Sequence, residues 1–120
     1  IRIIVEHTGL AWDRSEDGLA EWRKGMKALA ECENVFLKIS ELGLAYKPWD
    51  YNENRCIVRE AIALFGFKRC MFASNFPVSG LRIGYVDQAK AVAHMIKDCS
   101  ETERRSLFHD TANSFYRLED

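Results

Sequence analysis

The chain has 120 residues, of which 48% are hydrophobic and 29% are charged, a balance typical of one globular domain with a packed core. Its 17 basic and 18 acidic side chains nearly cancel, which gives a formal net charge of -1. Because no field of positive charge is present, we expect the chain to bind neither nucleic acid nor an anionic membrane surface.

Three short apolar runs alternate with three amphipathic stretches. The runs predict strands at residues 1–7, 34–40 and 69–74, each rich in β-branched or aromatic residues and followed by a break. Apolar residues at helical spacing predict helices over residues 17–31, over a stripe that begins at Ile57 and is closed by Gly66, and over residues 86–96. The chain therefore repeats strand and helix three times.

A fourth helix is predicted at the end of the chain. Ser100 and Glu103 have the spacing of a capping box, in which each side chain accepts a hydrogen bond from the backbone N–H of the other. Apolar residues at Leu107, Phe108 and Phe115 follow on one stretch. Two histidines in these helices, His94 and His109, are read as surface or packing residues.

The alternation of apolar strands and helices is typical of right-handed βαβ units in a parallel sheet that is buried on both faces. The fold class is therefore α/β. A sheet of three parallel strands leaves two hydrophobic edges open, so we expect further strands, or self-association through the open edges, to cover them.

Four cysteines, Cys32, Cys56, Cys70 and Cys99, form no CxxC pair, and we expect them to be reduced and packed as small apolar side chains. No apolar run approaches the roughly 18 residues of a membrane span, and the opening IRIIVEH does not have the form of a signal peptide. These features favour a cytoplasmic protein that does not act at a membrane.

Polar residues close every predicted strand: His7 the first, Ser40 and Glu41 the second, Ser74 and Asn75 the third. The carboxyl ends of parallel strands converge, and in α/β folds they form the site. Each residue also has a structural interpretation, since a histidine can cap a turn and a Ser-Asn pair can begin one.

Several motifs carry a resemblance to a known family. The segments VEHTGLAWDRSEDGLAEWRKGMKALAECENVFLKISELG, CMFASNFPV and LFHDTANSFYRL follow one another in the order of the amidohydrolase-2 group of the amidohydrolase superfamily. Over nearly its whole length the chain resembles the C-terminal portion of such proteins, most closely the branch of sugar-acid and dicarboxylate lactonases. The resemblance implies a (β/α)₈ barrel of at least about 250 residues, with the three strands here as the sixth to the eighth.

The same resemblance implies a truncated domain. The family's paired HxH histidines occur on N-terminal strands, and no HxH is present in this sequence. The chain also opens at Ile1 inside a strand pattern. We therefore expect residues 1–120 to be a single partial barrel domain that lacks its N-terminal strands and is inert alone.

By position, the resemblance implies catalytic roles for His7 and Asn75. His7 matches a histidine at the end of the sixth strand that binds a metal or polarises the substrate. Asn75 matches the position after the eighth strand where the superfamily has an aspartate that bridges a metal and takes a proton from the attacking water. An amide cannot accept that proton and is a poorer metal ligand, so Asn75 is expected to position water. A zinc or manganese ion, weakly held by His7, and a metal-free site both remain open.

Three further residues are candidate substrate contacts. If the second strand alternates, Lys38 and Ser40 share the face that points into the barrel, although Lys38 could equally pair with Glu6 there. Trp12 lies in the loop after the first strand and is expected to line the site. Asp13 or Ser15, in the same loop, could cap the following helix, and Asp13 is the favoured cap.

The favoured function is hydrolysis of a lactone of an acidic or sugar-derived small molecule. His7 would polarise the carbonyl, Asn75 would position the water, and the base would come from the N-terminal half of the barrel. The alternatives are a metal-dependent decarboxylase of the same superfamily, which the amide at residue 75 disfavours, and a non-catalytic half-barrel that assembles through its edges.

Overall fold

A computed structural model of the chain describes residues 1–118, so the last two residues of the predicted domain, Glu119 and Asp120, lie outside the described residues. Three strands and five helices follow in chain order: β1 Ile3–Val5, α1 Glu16–Ala30, β2 Val35–Ile39, α2 Tyr51–Phe65, β3 Cys70–Phe72, α3 Tyr85–Met95, α4 Glu101–Arg105 and α5 Thr111–Tyr116. A π-helical segment, Ser106–Asp110, joins α4 to α5.

The strands form one parallel sheet in the order β1-β2-β3, which confirms the predicted α/β class. Val5 pairs with Leu37, and Leu37 pairs with Cys70. Within residues 1–118, β1 and β3 are the edges of this sheet. All three strands are shorter than predicted, because the polar residues at their carboxyl ends leave the ladder and begin turns.

One face of the sheet packs against the helices. Val35, Leu37 and Ile39 alternate along β2 and are at most 4% exposed. They belong to a core that includes Trp22 and Met26 of α1 and the apolar stripe of α2. Alternate residues of β2 and the apolar stripes of α1 and α2 thus pack into one core, as the sequence pattern predicts.

The opposite face is covered in part by α5. Phe36 contacts Phe115, with ring centroids 5.0 Å apart, and the Lys38 ammonium lies 5.8 Å from the centre of the Tyr116 ring. Arg2 donates a hydrogen bond of 2.9 Å to the carbonyl of Ser114. α5 is therefore held against the residue that precedes β1 and against the middle of β2.

Two predicted helix ends are confirmed, whereas α2 begins six residues before its predicted stripe and the cap of α1 needs a correction. The capping box at Ser100 and Glu103 is present, and Gly66, at φ 79°, ends α2. At α1 the cap is Ser15, whose Oγ accepts the Gly18 N–H at 3.0 Å. The prediction for Asp13 is wrong, because its carboxylate accepts the N–H of Ser15 from outside the helix.

The apolar stripe that predicts α3 consists of Val86, Ala89, Val92, Ala93 and Ile96, and the structure buries only Val92 and Ile96 of these. Val86 is 58% exposed, whereas Gln88, Val92 and Met95 are buried. These three lie at i, i+4 and i+7, so the helix turns Gln88 into the core and leaves Val86 outside. Because glutamine is polar, the hydropathy pattern did not predict that Gln88 is buried beside Val92.

The cysteines are also less buried than predicted. Cys70 in β3 is fully buried, Cys99 is half-buried, and Cys32 and Cys56 are exposed. All four are unpaired thiols. Of the helices in residues 1–118, none is long and apolar enough to cross a membrane.

Candidate active site

The backbone turns sharply at the carboxyl end of every strand. His7 and Thr8 after β1, Glu41 after β2 and Asn75 after β3 have φ values of 55°, 56°, 43° and 52°. Non-glycine residues in this left-handed region cost of the order of 1–3 kcal/mol each, and such residues cluster at functional sites. The strain therefore marks the edge of the sheet where the sequence predicts the site.

The first two strand ends are joined through Ser40. Its Oγ accepts the backbone N–H of His7 at 3.2 Å and lies 3.1 Å from Nδ1 of the His7 ring. Thr8 fixes the same place from the other side, because its hydroxyl donates to the Ser40 carbonyl at 2.9 Å and accepts the Ser40 N–H at 3.0 Å. Ser40 and Thr8 are both 1% exposed, so the His7 ring is held by a buried polar pair.

This contact defines what the His7 ring can do. When Ser40 donates its hydroxyl proton to Nδ1, the ring carries its proton on Nε2 and can donate a hydrogen bond there. When Nδ1 carries the proton, the lone pair of Nε2 is available to a metal ion. No described side chain hydrogen-bonds to Nε2, so in both tautomers this atom is available to bind a ligand.

The second and third strand ends are joined through Glu41. The side-chain amide of Asn75 donates a hydrogen bond to Glu41 Oε2, and the Ser79 hydroxyl donates to the same oxygen at 3.2 Å. Ser79 is 2% exposed and donates its backbone N–H to the Asn75 carbonyl at 2.9 Å. A continuous set of polar contacts thus runs across all three strand ends.

Sequence reasoning assigned no role to Glu41. Its signal was present, since a carboxylate follows Ser40 directly at the end of a buried strand. The family resemblance implies the catalytic carboxylate position at residue 75 instead. The contact between Glu41 and Asn75 joins residues 34 positions apart and depends on the turn after each strand.

The turn interpretation of Ser74 and Asn75 holds for the serine. Ser74 Oγ accepts the N–H of Phe76 at 3.3 Å and so begins the turn after β3. The Asn75 side chain reaches Glu41 instead. The two neighbours therefore have different functions in this loop.

Lys38 makes the ion pair that the sequence left as an alternative. Its ammonium lies 2.9 Å from Glu6 Oε1, and the side chains are 22% and 51% exposed. The hydrogen bond that Lys38 donates to Glu6 raises the pKa of Lys38; burial opposes this shift, and Tyr116 adds to it. A substrate contact at Lys38 stays a prediction, and it would have to compete with Glu6.

Trp12 lies apart from the contacts at the strand ends. Its side chain is 65% exposed, and its carbonyl accepts the Tyr46 hydroxyl at 2.5 Å. It lines an open groove of about 480 Å³ together with Trp22, whereas His7 and Asn75 do not line this groove. The role of Trp12 as a substrate contact stays a prediction.

A charged cluster joins the loop after β1 to the loop after β2 and to the first turn of α2. The Arg14 side chain, 7% exposed, donates to Glu53 Oε1 at 2.7 Å, to Asn54 Oδ1 at 3.0 Å and to the Leu42 carbonyl at 3.3 Å. Lys47 lies 2.7 Å from the other oxygen of Glu53. The Leu42 carbonyl directly follows Glu41, so the cluster also supports the backbone at the second strand end.

A divalent metal is implied by the resemblance, but the residues described here do not by themselves fit one. A stable centre needs three or more converging ligands. Nowhere in residues 1–118 do three His, Cys, Asp or Glu side chains form a group that could hold an ion. Glu41, the carboxylate at the end of the neighbouring strand, is engaged by Asn75 and Ser79.

Comparison with known proteins decides the family. The family model described as Amidohydrolase matches residues 1–118. The chain belongs to this amidohydrolase family. The amidohydrolase chain is 44% identical over 118 residues to the uncharacterized protein y4mH of Sinorhizobium fredii. The match covers 98% of this chain and 39% of that protein. It is 29% identical over 128 residues to an L-fucono-1,5-lactonase of Burkholderia multivorans, covering 97% of this chain and 43% of that enzyme.

Solved structures agree with this assignment. An amidohydrolase of Burkholderia multivorans with bound HEPES has a TM-score of 0.90 and 29% identity over 98% of this chain and 45% of that chain. A crystal form of it with bound zinc gives a TM-score of 0.87 and 27% identity. The amidohydrolase chain thus spans 39–43% of the curated relatives' length, and its parallel sheet is part of a (β/α)₈ barrel, as the resemblance implies.

Proposed function

We propose that the natural protein containing this sequence hydrolyses a lactone, a small cyclic ester, of a sugar-derived or acidic compound. The observation that carries the proposal is the His7 ring, held on buried Ser40 beside the contact between Glu41 and Asn75 at the strand ends. Family membership and the similarity to an L-fucono-1,5-lactonase support a hydrolase that acts on a cyclic ester.

His7 has the geometry to polarise the ester carbonyl. With Ser40 donating to Nδ1, Nε2 carries the proton and can donate a hydrogen bond to the carbonyl oxygen. That bond strengthens as negative charge develops on the oxygen, and removing such a donor typically lowers kcat by about 10²–10³. The hydrogen bond from the His7 backbone N–H to Ser40 Oγ also fixes the orientation of the ring, so the ring needs little reorganisation as the reaction proceeds.

Asn75 is suited to hold the attacking water. Its amide nitrogen donates to Glu41, which leaves the amide oxygen as an acceptor for a water proton. The oxygen of that water would attack the carbonyl carbon, and the ring C–O bond would then break to give a hydroxy acid. Asn75 orients the water but cannot take its proton.

The test is a substrate panel on the natural protein that contains this sequence. Sugar 1,5-lactones, a dicarboxylate lactone and linear esters of the same acids are compared by the acid released. The proposal predicts that at least one lactone is hydrolysed about 10²-fold or more faster than its linear ester. Correct positioning of the reacting groups can produce a rate difference of this size. Turnover of linear esters alone, or of none of the panel, would contradict it.

A further inference from the structure

We infer that Glu41 is the general base of this site, an inference that rests on the proposed lactone hydrolysis. Neither the Asn75 amide nor a His7 ring with Nε2 protonated can take the water's proton. The sequence therefore predicts a base from the N-terminal half of the barrel, and Glu41 takes that role here from within the described residues. Glu41 lies at the carboxyl end of β2, between the strand ends that carry those two residues.

The carboxylate of Glu41 is fixed through one of its two oxygens. Asn75 Nδ2 and Ser79 Oγ both donate to Oε2, and both belong to the loop after β3. No described side chain donates to Oε1. Because Ser79 is 2% exposed, the donor cannot swing away without opening the loop. One oxygen thus positions the group, and the other remains for a water molecule.

The partners of Glu41 distinguish it from other carboxylates near these loops. Glu6 pairs with the Lys38 ammonium at 2.9 Å, and Glu53 is held between two cations. A carboxylate paired with a cation is a weakened proton acceptor, because the cation favours the charged form. Glu41 is held by neutral amide and hydroxyl donors, and its negative charge has no cation bonded to it among the described side chains.

The contact with Asn75 also joins the base to the water. The amide of Asn75 donates from its nitrogen to Glu41 and can accept from water at its oxygen. A water molecule bound to that oxygen would lie beside the Glu41 carboxylate. The carboxylate that the superfamily resemblance implies at residue 75 would then be supplied from the neighbouring strand end.

The proposed step is balanced in atoms and charge. Glu41 Oε1 takes a proton from water while the water oxygen forms a bond to the lactone carbonyl carbon. The resulting tetrahedral intermediate collapses as the ring C–O bond breaks. Protonated Glu41 then gives its proton to the departing ring oxygen, which leaves as a hydroxyl group. Lactone and water become the hydroxy acid, and Glu41 returns to its carboxylate form.

Glu41→Gln in the natural protein containing this sequence tests the inference. Glutamine has the same shape and can still accept both hydrogen bonds, but it cannot take a proton. We expect kcat on the best lactone of the panel to fall by about 10²–10⁴, the typical contribution of a general base, with KM changed by less than about threefold. Glu60→Gln is the control, because Glu60 pairs with exposed Arg23 on the helix layer, and kcat should be unchanged.

A second variant separates a chemical role from a structural one. In Glu41→Ala the missing carboxylate can be supplied by added formate, and we expect formate to raise kcat by about tenfold or more in this variant and not in the wild type. The formate measurement on Glu41→Ala also tests the inference if the Glu41→Gln variant fails to fold.

The two proposals fail differently. A wild-type protein that hydrolyses no lactone overturns the proposed function and the role of Glu41 with it. An active wild type combined with a Glu41→Gln variant whose kcat is within about threefold of wild type overturns the role of Glu41 alone. Failure of formate to raise the rate of a folded Glu41→Ala variant counts against the base in the same way.

Discussion

Replacing Asn75 with Asp, the residue type that the resemblance implies there, is expected to destabilise this protein. Asn75 Nδ2 donates a hydrogen bond to Glu41 Oε2, and in the variant a second carboxylate oxygen would occupy the donor's place. A hydrogen bond to a charged group is worth about 1.5–3 kcal/mol, and two like charges at contact repel further. Because both side chains are half-buried, solvent screens part of the repulsion. We expect a loss of about 2–4 kcal/mol at pH 7.

The loss should depend on pH in a defined direction. Two adjacent carboxylates raise the pKa of one of the pair in the folded state, so a proton shared between them restores a hydrogen bond at low pH. A group whose pKa is higher in the folded than in the unfolded state stabilises the fold at pH values below its unfolded pKa, which is about 4 for Asp and Glu. That stabilisation is lost as the pH rises through the folded pKa. The deficit of the variant should therefore shrink from pH 7 to pH 4.

The assay is urea unfolding of the natural protein containing this sequence at both pH values. The matched control is the double variant Glu41→Gln with Asn75→Asp, in which the amide and the carboxylate exchange places and the hydrogen bond can form again. Its free energy of unfolding at pH 7 should return to within about 1 kcal/mol of wild type. An Asn75→Asp single variant as stable as wild type, or a double variant no more stable than the single one, would refute the reasoning.

Two further predictions concern parts of the chain away from Glu41. Glu53→Gln should lower the free energy of unfolding by about 1–3 kcal/mol, less than for a fully buried pair, because it leaves two cations unpaired. Burial raises the pKa of Glu53, but hydrogen bonds from the two cations outweigh this and lower it, so the pair's stabilisation is present above about pH 4.5 and is lost as the pH falls. Glu60→Gln on the same helix should change urea unfolding little, and an equal effect would contradict the difference in burial. Burial raises the pKa of the Cys70 thiol to about 12, so a thiol reagent at pH 8 should label exposed Cys32 and Cys56 first, and early labelling of Cys70 would contradict its burial.

Much of the fold could be predicted from the sequence because its patterns are local. Apolar residues at helical spacing predicted α1 within one residue at each end, and Gly66 marked the end of α2. The start of α2 was missed by six residues, because its first turns, from Tyr51, precede the apolar stripe that begins at Ile57. The capping box at Ser100 was predicted from two residues three positions apart. The buried face of α3 was predicted only in part, because a polar residue, Gln88, belongs to it. Where burial follows hydropathy, the sequence alone predicts the structure.

The candidate site was predictable only in its location. The rule that parallel strands converge at their carboxyl ends placed His7, Ser40 and Asn75 at one edge, and the structure links all three strand ends by hydrogen bonds. The pairing of Glu41 with Asn75 could not be predicted, because it depends on left-handed backbone at both residues. Whether Lys38 contacts the substrate or forms an ion pair with Glu6 likewise depends on side-chain geometry, and in the structure Lys38 forms the ion pair with Glu6.

The central claim, that His7 at this edge of the sheet polarises a lactone carbonyl, is tested most directly by His7→Asn in the natural protein containing this sequence. Asparagine tolerates the left-handed φ of 55° at this position, so the turn should fold, but it lacks the ring nitrogen Nε2. The measurement is kcat/KM on the best lactone of the panel, with thermal unfolding as the check on folding. The account predicts a fall of about 10²-fold or more in a folded variant. A folded variant within about threefold of wild type would contradict it.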